Sequence, residues 1–316
     1  MNPTPKSPLS ILPPKKLYDL SRAFLLSKLS EYFQSPCPPE AVAHDYSMWR
    51  CVETNLEFAW PLVPGNEVFY DWISRFPSYY PKTRWEYAKT LSLIRSRGPA
   101  KFSILDVGCG SGKFLAALKS LRPKKALGLD LNRSAIMECR QKGLDAFCGP
   151  MQLALQEKMA VPNEFHFISS FHCLEHLDDP AQFCRELLHL LSGSGRVFLS
   201  TPYSPMSFEG DWFDVMNHPP HHMTRWNLSA YRHLARALGL SLRFHAPAVS
   251  SLRQARLAER LNWGGPGGHQ SLLGNPGAMG RRFRYFWSAW NRLRVRNRFH
   301  PLGGADVILA ELFLNP

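Results

Sequence analysis

From residue 101 onward, short apolar runs alternate with stretches in which apolar residues recur at helical spacing. The apolar runs predict strands, and the periodic stretches predict helices. Strands are expected at 102–107, 125–130, 144–148, 164–171, 195–201, 240–249 and 305–314, and helices at 111–121, 132–142, 151–159, 179–192 and 228–238. This alternation indicates an α/β fold in which a mostly parallel sheet of seven strands carries helices on both faces.

The part of the chain before residue 99 is less regular. Helical spacing predicts helices at 16–33, 67–76 and 81–97, and a proline-rich leader precedes the first of them. We therefore divide the chain into a leader and helix (1–35), a cysteine-containing segment (36–64), a helical cover (65–98) and the α/β domain (99–316), which residues 250–303 interrupt as an insertion.

The first predicted strand of the α/β domain leads into a glycine-rich turn. Asp106 is followed by Gly108, Gly110 and Gly112, and a helix comes next. Glycines let a ligand approach the backbone closely, and a helix start offers free N–H groups. The next strand ends in Asp130, at the spacing where a carboxylate meets ribose hydroxyls in a doubly wound sheet. The turn therefore predicts a nucleotide-type cofactor.

Two cofactor classes fit this turn. A dinucleotide-binding turn needs its third glycine at the position of Lys113. The pattern D-x-G-x-G-x-G from Asp106 to Gly112 instead resembles motif I of the class I S-adenosylmethionine-dependent methyltransferases, with Asp130 as their acidic ribose-binding residue. The resemblance implies S-adenosylmethionine as the cofactor and a Rossmann-like, doubly wound sheet whose last strand inserts antiparallel.

A second stretch resembles the same family, in its ubiquinone-biosynthesis-like type. The strand that ends near Phe171 is followed by Glu175-His176 and by a helix start at Asp179-Pro180. Because the carboxyl end of this strand should lie beside the glycine turn, its last residues are expected to line the pocket. The expected cofactor-binding residues are Asp106, Gly108, Cys109, Gly110, Gly112, Asp130, Leu131, Met151, Ser170, Phe171 and His172.

In ubiquinone-biosynthesis-type O-methyltransferases, the Glu-His pair and a Glu three positions earlier are linked to a divalent metal. That earlier position is His172 here, so a site of His172, Glu175 and His176 is chemically conceivable. The sequence favours a different role for Glu175 and His176, which is to cap and anchor the next helix. We therefore expect no metal.

The loop from 210 to 227 carries three histidines, two aspartates and two tryptophans, more polar and aromatic side chains than a connector needs. Similar enzymes have a Pro-Pro-His-His stretch at this place. Histidine is the natural base near neutral pH, so His221 or His222 is the candidate to take the proton of a hydroxyl acceptor. The alternative is that both histidines only shape the pocket through hydrogen bonds.

The segment 36–64 resembles a zinc ribbon that has lost half of its ligands. Cys37 and Cys51 stand where two C-x-x-C pairs would begin, but Glu40 and Thr54 occupy the second positions. Threonine is not a zinc ligand, so a small metal-free packing module is expected. The seven cysteines are odd in number and scattered, which indicates a reducing cytoplasm.

The net charge of +13 is concentrated near the C-terminus, where residues 260–305 contain eight arginines and no acidic residue. On a helix over 281–299, the apolar residues Phe283, Phe286, Trp287, Trp290 and Leu293 share one face. A basic, aromatic amphipathic helix is typical of peripheral membrane contact. The alternatives are a helix packed on the enzyme with a solvated arginine face, and, less favoured, a nucleic-acid contact.

These patterns predict S-adenosylmethionine-dependent methyl transfer to an oxygen of a small molecule, glycan or lipid-linked intermediate. The alternative is a non-catalytic subunit that binds the cofactor as a partner or scaffold. Nucleic-acid methylation is disfavoured, because the Asp/Asn-Pro-Pro-aromatic peptide of aminomethylating enzymes is absent and Ser170-Phe-His-Cys173 stands in its place. The expected location is the cytoplasm, with the membrane surface as an option through residues 281–299.

Overall fold

The computed structural model describes residues 5–76, 79, 83–209, 212–263, 276–300 and 302–314. The strands in these ranges are β1 (Lys15–Leu20), β2 (Tyr46–Arg50), β3 (Glu57–Trp60), β4 (Ser103–Val107), β5 (Lys125–Asp130), β6 (Ala146–Cys148), β7 (Phe165–Phe171), β8 (Leu191–Pro202), β9 (Thr224–Arg225), β10 (Ser241–His245) and β11 (Val307–Phe313). The α-helices are α1 (Arg22–Phe33), α2 (Glu67–Ile73), α3 (Trp85–Arg97), α4 (Lys113–Leu118), α5 (Arg133–Gln141), α6 (Met151–Gln156), α7 (Pro180–Leu190), α8 (Leu228–Ala237), α9 (Ser251–Trp263) and α10 (Pro276–Phe299).

The larger sheet has seven strands in the order β10-β11-β8-β7-β4-β5-β6. The pairs from β8 to β6 are parallel, whereas β11 runs antiparallel between β8 and β10. This arrangement confirms the predicted doubly wound α/β fold and its antiparallel last strand.

Each face of this sheet buries its own apolar cluster, as alternation along the strands requires. On β4, Leu105 and Val107 belong to the cluster shared with α6, α7 and α8, while Ile104 belongs to the one shared with α3, α4 and α5. Helices α5 and α7 are capped at their N-termini, because the Asn132 side chain accepts from the Ala135 N–H and Asp179 accepts from the Gln182 N–H. The sheet is thus a rigid platform whose strand ends meet at one edge.

A second sheet joins the N-terminal region to the α/β domain. It has four strands in the order β1-β2-β3-β9, and its last strand comes from the loop between β8 and α8. The predicted helix over 16–33 was therefore wrong in its first part, where the chain forms β1 and pairs with β2. The helix begins only after Ser21, whose side chain accepts from the Phe24 N–H as an N-cap.

Other boundaries differ by a few residues. The strand expected at 195–201 begins at Leu191. Residues 192–195, which contain two glycines, are extended, and Leu191 pairs with Phe165. The helix expected over 67–76 ends at Ile73, and the one expected from 81 begins at Trp85, with 80–82 outside the described residues. The Gly/Pro-rich loop at 264–275 also lies outside the described residues.

The insertion forms a pair of helices, α9 and α10. Ala255 on α9 packs against Ala289 and Leu293 on α10, and Phe286 and Trp290 are partly buried beside them. Part of the predicted aromatic face is therefore used in packing, and the rest is solvent-exposed. Among the described residues, no helix combines the length and the apolar character needed to cross a bilayer.

Candidate active site

The glycine turn after β4 adopts backbone conformations that suit glycine. Gly108, Gly110 and Gly112 have φ angles of 75°, 51° and 75°, a region that side chains rarely tolerate. The N–H groups of Gly108 and Cys109 donate to the Leu129 carbonyl oxygen at 2.8 and 3.0 Å. These bonds lock the turn against β5 and leave its outer edge free of side chains.

Asp130 closes this corner from the end of β5. Its Oδ2 accepts from the Gly110 N–H at 2.7 Å and its Oδ1 from the Asn132 N–H at 2.8 Å. Burial raises the pKa of Asp130, and the hydrogen bonds from Asn132 and Gly110 oppose that rise. Leu131 beside it is 75% exposed. The Asp130 carboxylate and the glycine-lined backbone thus meet at the ends of β4 and β5, where the sequence predicts the cofactor.

Asp106, also predicted to contact the cofactor, lies beneath the turn. It is buried, and its Oδ1 accepts a hydrogen bond from the Ser169 hydroxyl at 2.7 Å. Burial raises the pKa of Asp106 to about 7, although the bond from Ser169 works in the opposite direction. Asp106 therefore ties β4 to β7 from inside the sheet.

The end of β7 supplies the other predicted pocket residues. Ser170 and Phe171 are buried, and the Phe171 ring packs against Phe114 at 4.8 Å between ring centroids. Met151 is buried at the start of α6. Met151 and Phe171 belong to the apolar clusters on opposite faces of the sheet, so these side chains do not form one wall.

His172 turns the chain out of the sheet with a φ of 51°, a strained conformation of the kind that clusters at functional sites. Its Nε2 lies 2.7 Å from Glu86 Oε1 and its Nδ1 lies 3.4 Å from Glu175 Oε1. Burial lowers the pKa of His172, but the contacts with Glu175 and Glu86 outweigh burial and raise it. Sequence reasoning missed Glu86, an acid on the buried side of α3, because its partner lies 86 positions away.

Three histidines meet just beyond this point, and we call His176, His221 and His222 the histidine cluster. One ring nitrogen of each lies within 4.8 Å of the other two. The ring centroids are 4.4 Å apart for His221 and His222, 4.5 Å for His176 and His221, and 4.9 Å for His176 and His222. The predicted loop histidines are thus joined by His176, which the sequence had placed in a helix-anchoring role.

Hydrogen bonds fix the tautomer of each ring in the cluster. His176 Nδ1 donates to the His221 carbonyl oxygen at 2.6 Å, and His221 Nδ1 donates to the Met216 carbonyl oxygen at 2.8 Å. His222 Nδ1 lies 3.0 Å from Asn217 Oδ1. The Asn217 amide is oriented by its own donation to Glu209 at 2.9 Å, so its oxygen faces His222. Each Nδ1 therefore carries the proton, and each Nε2 keeps its lone pair.

Burial keeps the cluster uncharged. It lowers the pKa of His176 and holds the pKa values of His221 and His222 well below the ordinary range, and the neighbouring histidines add to the effect for His221 and His222. Glu175 is buried beside them, with its Oε1 4.0 Å from His222 Nε2. Within the described residues, neither Glu175 oxygen nor His221 Nε2 has a hydrogen-bond partner.

The N-terminal region builds the outer wall of the cluster. Phe69 and Tyr70 on α2 and Tyr79 lie with ring centroids 6.0, 6.5 and 5.7 Å from that of His221. The Gly65 N–H donates to the Pro220 carbonyl oxygen at 2.8 Å. Aromatic side chains of the segment 65–98 thus surround His221, and nothing in the local sequence pattern indicated which residues they would face.

The two ribbon-like cysteines are separated. Cys37 packs in the apolar cluster of the N-terminal region, whereas Cys51 belongs to the main cluster on the sheet. The histidine cluster is the one group of suitable side chains that the described residues bring together with metal-ligating geometry. Neither the ribbon pair nor the set of His172, Glu175 and His176 assembles in that way.

Comparison with known proteins decides the family. Residues 79–243, more than half of the chain, match the family model described as a methyltransferase domain. The chain belongs to this family. Its fold is also similar to that of the plantazolicin methyltransferase BpumL in complex with SAH, with a TM-score of 0.50, 17% identity, and coverage of 79% of this chain and 91% of that one. Family and fold make the chain a class I S-adenosylmethionine-dependent methyltransferase, as the glycine turn predicted.

Curated relatives of this methyltransferase match over a shorter stretch. This chain is 32% identical over 114 residues to the ubiquinone biosynthesis O-methyltransferase of Serratia proteamaculans (strain 568). The matched stretch covers 34% of this chain and 46% of that protein. It is also 32% identical over 107 residues to the protein of the same name from Pseudomonas paraeruginosa (strain DSM 24068 / PA7), covering 33% and 46%. The chain thus spans less than half the length of the curated relatives it matches.

Proposed function

We propose that this chain transfers a methyl group from S-adenosylmethionine to an oxygen atom of a small molecule, glycan or lipid-linked intermediate. The observation that carries the proposal is the histidine cluster, which brings uncharged imidazoles of the loop between β8 and α8 against His176, in the turn after β7. A hydroxyl acceptor must lose its proton during transfer, and such imidazoles are suited to handle it. The ubiquinone biosynthesis O-methyltransferases are consistent with an oxygen acceptor.

In this proposal, the glycine turn and the residues around it bind the cofactor. Asp130 would bind the ribose hydroxyls, the backbone at Gly108 and Gly110 would hold the amino-acid part, and Leu131 and Met151 would flank the adenine. When bound, S-adenosylmethionine supplies a methyl group on a positively charged sulfur. The protein's contribution is to align the acceptor with that methyl group in a site from which water is excluded.

In this proposal, the loop histidines act on the acceptor. His221 or His222 receives the acceptor proton at Nε2, because Nδ1 of each ring is already a donor. Glu175 lies next to His222 and supplies negative charge that stabilises a protonated ring. Phe69, Tyr70 and Tyr79 exclude solvent from this side.

The exposed part of α10 supports a lipid-linked acceptor among the three classes. Phe283 and Trp287 remain 63% and 40% exposed among arginines after α9 has packed against the helix. We propose that this face contacts an anionic membrane surface peripherally. Co-sedimentation with phosphatidylglycerol vesicles that is lost in a double Phe283→Ser, Trp287→Ser variant would support the contact, and equal binding by the variant would exclude it.

Transfer of radiolabelled methyl groups tests the reaction itself. S-adenosylmethionine labelled in its methyl group is incubated with fractionated cell lysate and the full chain, with Asp130→Ala as the control. Label that enters one fraction and is lost with the variant identifies the acceptor class. Cofactor binding without transfer into any fraction would instead favour a non-catalytic binding subunit.

A further inference from the structure

We propose that the histidine cluster is a binding site for a divalent transition metal of the zinc class, with Nε2 of His176, His221 and His222 as its three protein ligands. The proposal deepens the proposed function, because a cation there would activate an acceptor oxygen in place of an imidazole base. It also departs from our sequence-based expectation that no metal is bound.

The first argument is the direction of the lone pairs. One ring nitrogen of each of the partly buried His176 and the buried His221 and His222 lies within 4.8 Å of the other two, and His221 Nε2 has no hydrogen-bond partner among the described residues. Buried polar atoms normally find a partner, so an unsatisfied acceptor needs an explanation. A single cation would satisfy all three acceptors at once, whereas a water molecule has only two hydrogens to donate.

The second argument is the surrounding shell. Histidines that bind metals almost always donate their other ring N–H to a carbonyl, carboxylate or water, which fixes the tautomer and the ring orientation. All three rings of the cluster do this, through the His221 and Met216 carbonyl oxygens and the Asn217 amide oxygen. The Met223 N–H donates to the Glu175 carbonyl oxygen at 2.7 Å and thereby holds the loop against the segment that carries His176.

The third argument is charge. Glu175 is buried within 4.0 Å of His222, and neither of its oxygens has a hydrogen-bond partner among the described residues. His172 Nδ1 lies 3.4 Å from Glu175 Oε1, but His172 Nε2 lies closer to Glu86, at 2.7 Å, so His172 is shared between two carboxylates. A buried carboxylate that only a shared histidine neutralises is costly, and a second neighbouring cation offsets that cost. Glu175 is therefore the charged group that would balance a cation in the cluster.

The donor set indicates the metal class. Neutral imidazoles suit Zn²⁺, Cu²⁺, Ni²⁺ and Fe²⁺, and disfavour Mg²⁺ and Ca²⁺, which prefer oxygen ligands. Three histidines that leave one position open are the arrangement of a catalytic rather than a structural zinc site. A cation at such a position makes a bound hydroxyl easier to deprotonate, so the inferred acceptor presents a hydroxyl oxygen to it.

Metal binding by the purified full chain tests the inference without any acceptor. The chain is stripped with a chelator, equilibrated with Zn²⁺, dialysed and analysed for bound metal. We expect one zinc per chain, and a loss of affinity in His176→Gln, His221→Gln and His222→Gln that exceeds the roughly 10- to 100-fold effect of an outer-shell change. His218→Gln is the matched control, because this buried loop histidine already bonds Tyr18 and the Asp214 carbonyl oxygen through its two nitrogens, and it should retain zinc.

Cobalt provides a readout that needs no variant. Co²⁺ in the unchanged chain should give visible d–d absorption without the near-ultraviolet charge-transfer band of a thiolate ligand. A thiolate band would show that a cysteine binds the metal and would overturn the inference, as would the absence of stoichiometric zinc or equal zinc in the three variants. Affinity for S-adenosylhomocysteine reports whether each variant is folded. Failure of metal binding would leave the methyl-transfer proposal intact, since that proposal is tested by label transfer alone.

Discussion

The cofactor corner and the histidine cluster lie side by side but are built in different ways. The corner comes from one continuous stretch, the glycine turn, and from Asp130 at the end of the adjacent strand. The cluster combines His176 after β7 with two histidines of a loop 45 positions later, and the N-terminal region forms its wall. The corner is held by backbone hydrogen bonds within the sheet, whereas the cluster depends on contacts between distant segments.

This difference separates the part of the site that a motif builds locally, the corner, from the part that depends on distant segments, the histidine cluster. Sheet hydrogen bonds and glycine conformations make a corner that any sequence with the motif can form. Under the proposed function, a change in the N-terminal region or the loop would alter the choice of acceptor without altering the corner. We therefore expect variants on the two sides to affect stability, cofactor affinity and transfer separately.

The largest expected effect comes from breaking the link between the N-terminal sheet and the loop. Arg225 on β9 is buried and pairs with Glu57 on β3 at 2.8 Å and with Glu209. Arg225→Met removes the ion-pair partner of Glu209 and leaves Glu57 with only the half-exposed Arg50, which should lower the free energy of unfolding by about 3–5 kcal/mol. Urea denaturation measures this change, and affinity for S-adenosylhomocysteine below the transition should stay within about twofold if the corner is independent.

Arg50→Met is the matched control for this link. Arg50 pairs with the same Glu57 at 2.7 Å, but its side chain is 45% exposed. Its loss should cost less than about 1 kcal/mol. Equal destabilisation by the two variants would show that burial of Arg225 does not matter, and a large loss of cofactor affinity would show that the two regions are coupled.

Asp106 gives the corner a pH dependence of its own. Its pKa rises on folding from 3.8 to about 7, so the folded state binds the proton more tightly than the unfolded state. The free energy of unfolding should therefore fall as pH increases from about 4 to 7 and level off above that, with an upper bound of about 4 kcal/mol. Unfolding measured from pH 5 to 8 should show a shallower decline in Asp106→Asn, and parallel curves would contradict the assignment.

Asp130 tests whether the corner holds the cofactor. Asp130→Asn keeps the shape of the side chain but removes its charge, and hydrogen bonds to charged groups are worth about 1.5–3 kcal/mol. Titration calorimetry should show S-adenosylhomocysteine bound roughly 10- to 100-fold more weakly. Asp145→Asn, an exposed acid just before β6, should bind normally. Unchanged affinity in Asp130→Asn would remove the ribose-binding role.

The features that could be predicted from the sequence are those built locally, as the corner is, and not those built from distant segments, as the cluster is. The sheet, its antiparallel last strand and the turn at Gly108 to Gly112 were predicted, because they depend on local periodicity and on residues that few other turns accept. The strand β1 was missed, because its pairing with β2 joins residues about 30 positions apart and overrides helical spacing.

Prediction of the site was limited in the same way. His221 and His222 were identified as candidates because their loop is rich in polar and aromatic side chains, but their contact with His176 depends on the path of the chain around β7 and β8. The pairing of Glu86 with His172 and the separation of Cys37 from Cys51 depend on it too. Spacing along a sequence indicates which side chains carry chemistry, whereas tertiary packing decides which of them share a site.

The smallest expected effect concerns a contact between the glycine turn and the segment that leads to His176. A β-carbon on Gly108 would lie 3.2 Å from Cys173 Cβ, three positions before His176. Gly143 has a similar positive φ of 63° but open space around it. Gly143→Ala should cost about 1–2 kcal/mol of stability through backbone strain alone and leave cofactor binding unchanged. Gly108→Ala should carry the same strain, push Cys173 outward and weaken S-adenosylhomocysteine binding as well. Equal behaviour of the two variants by urea denaturation and calorimetry would mean that Cys173 yields without cost, and that the corner and the cluster move independently even at their contact.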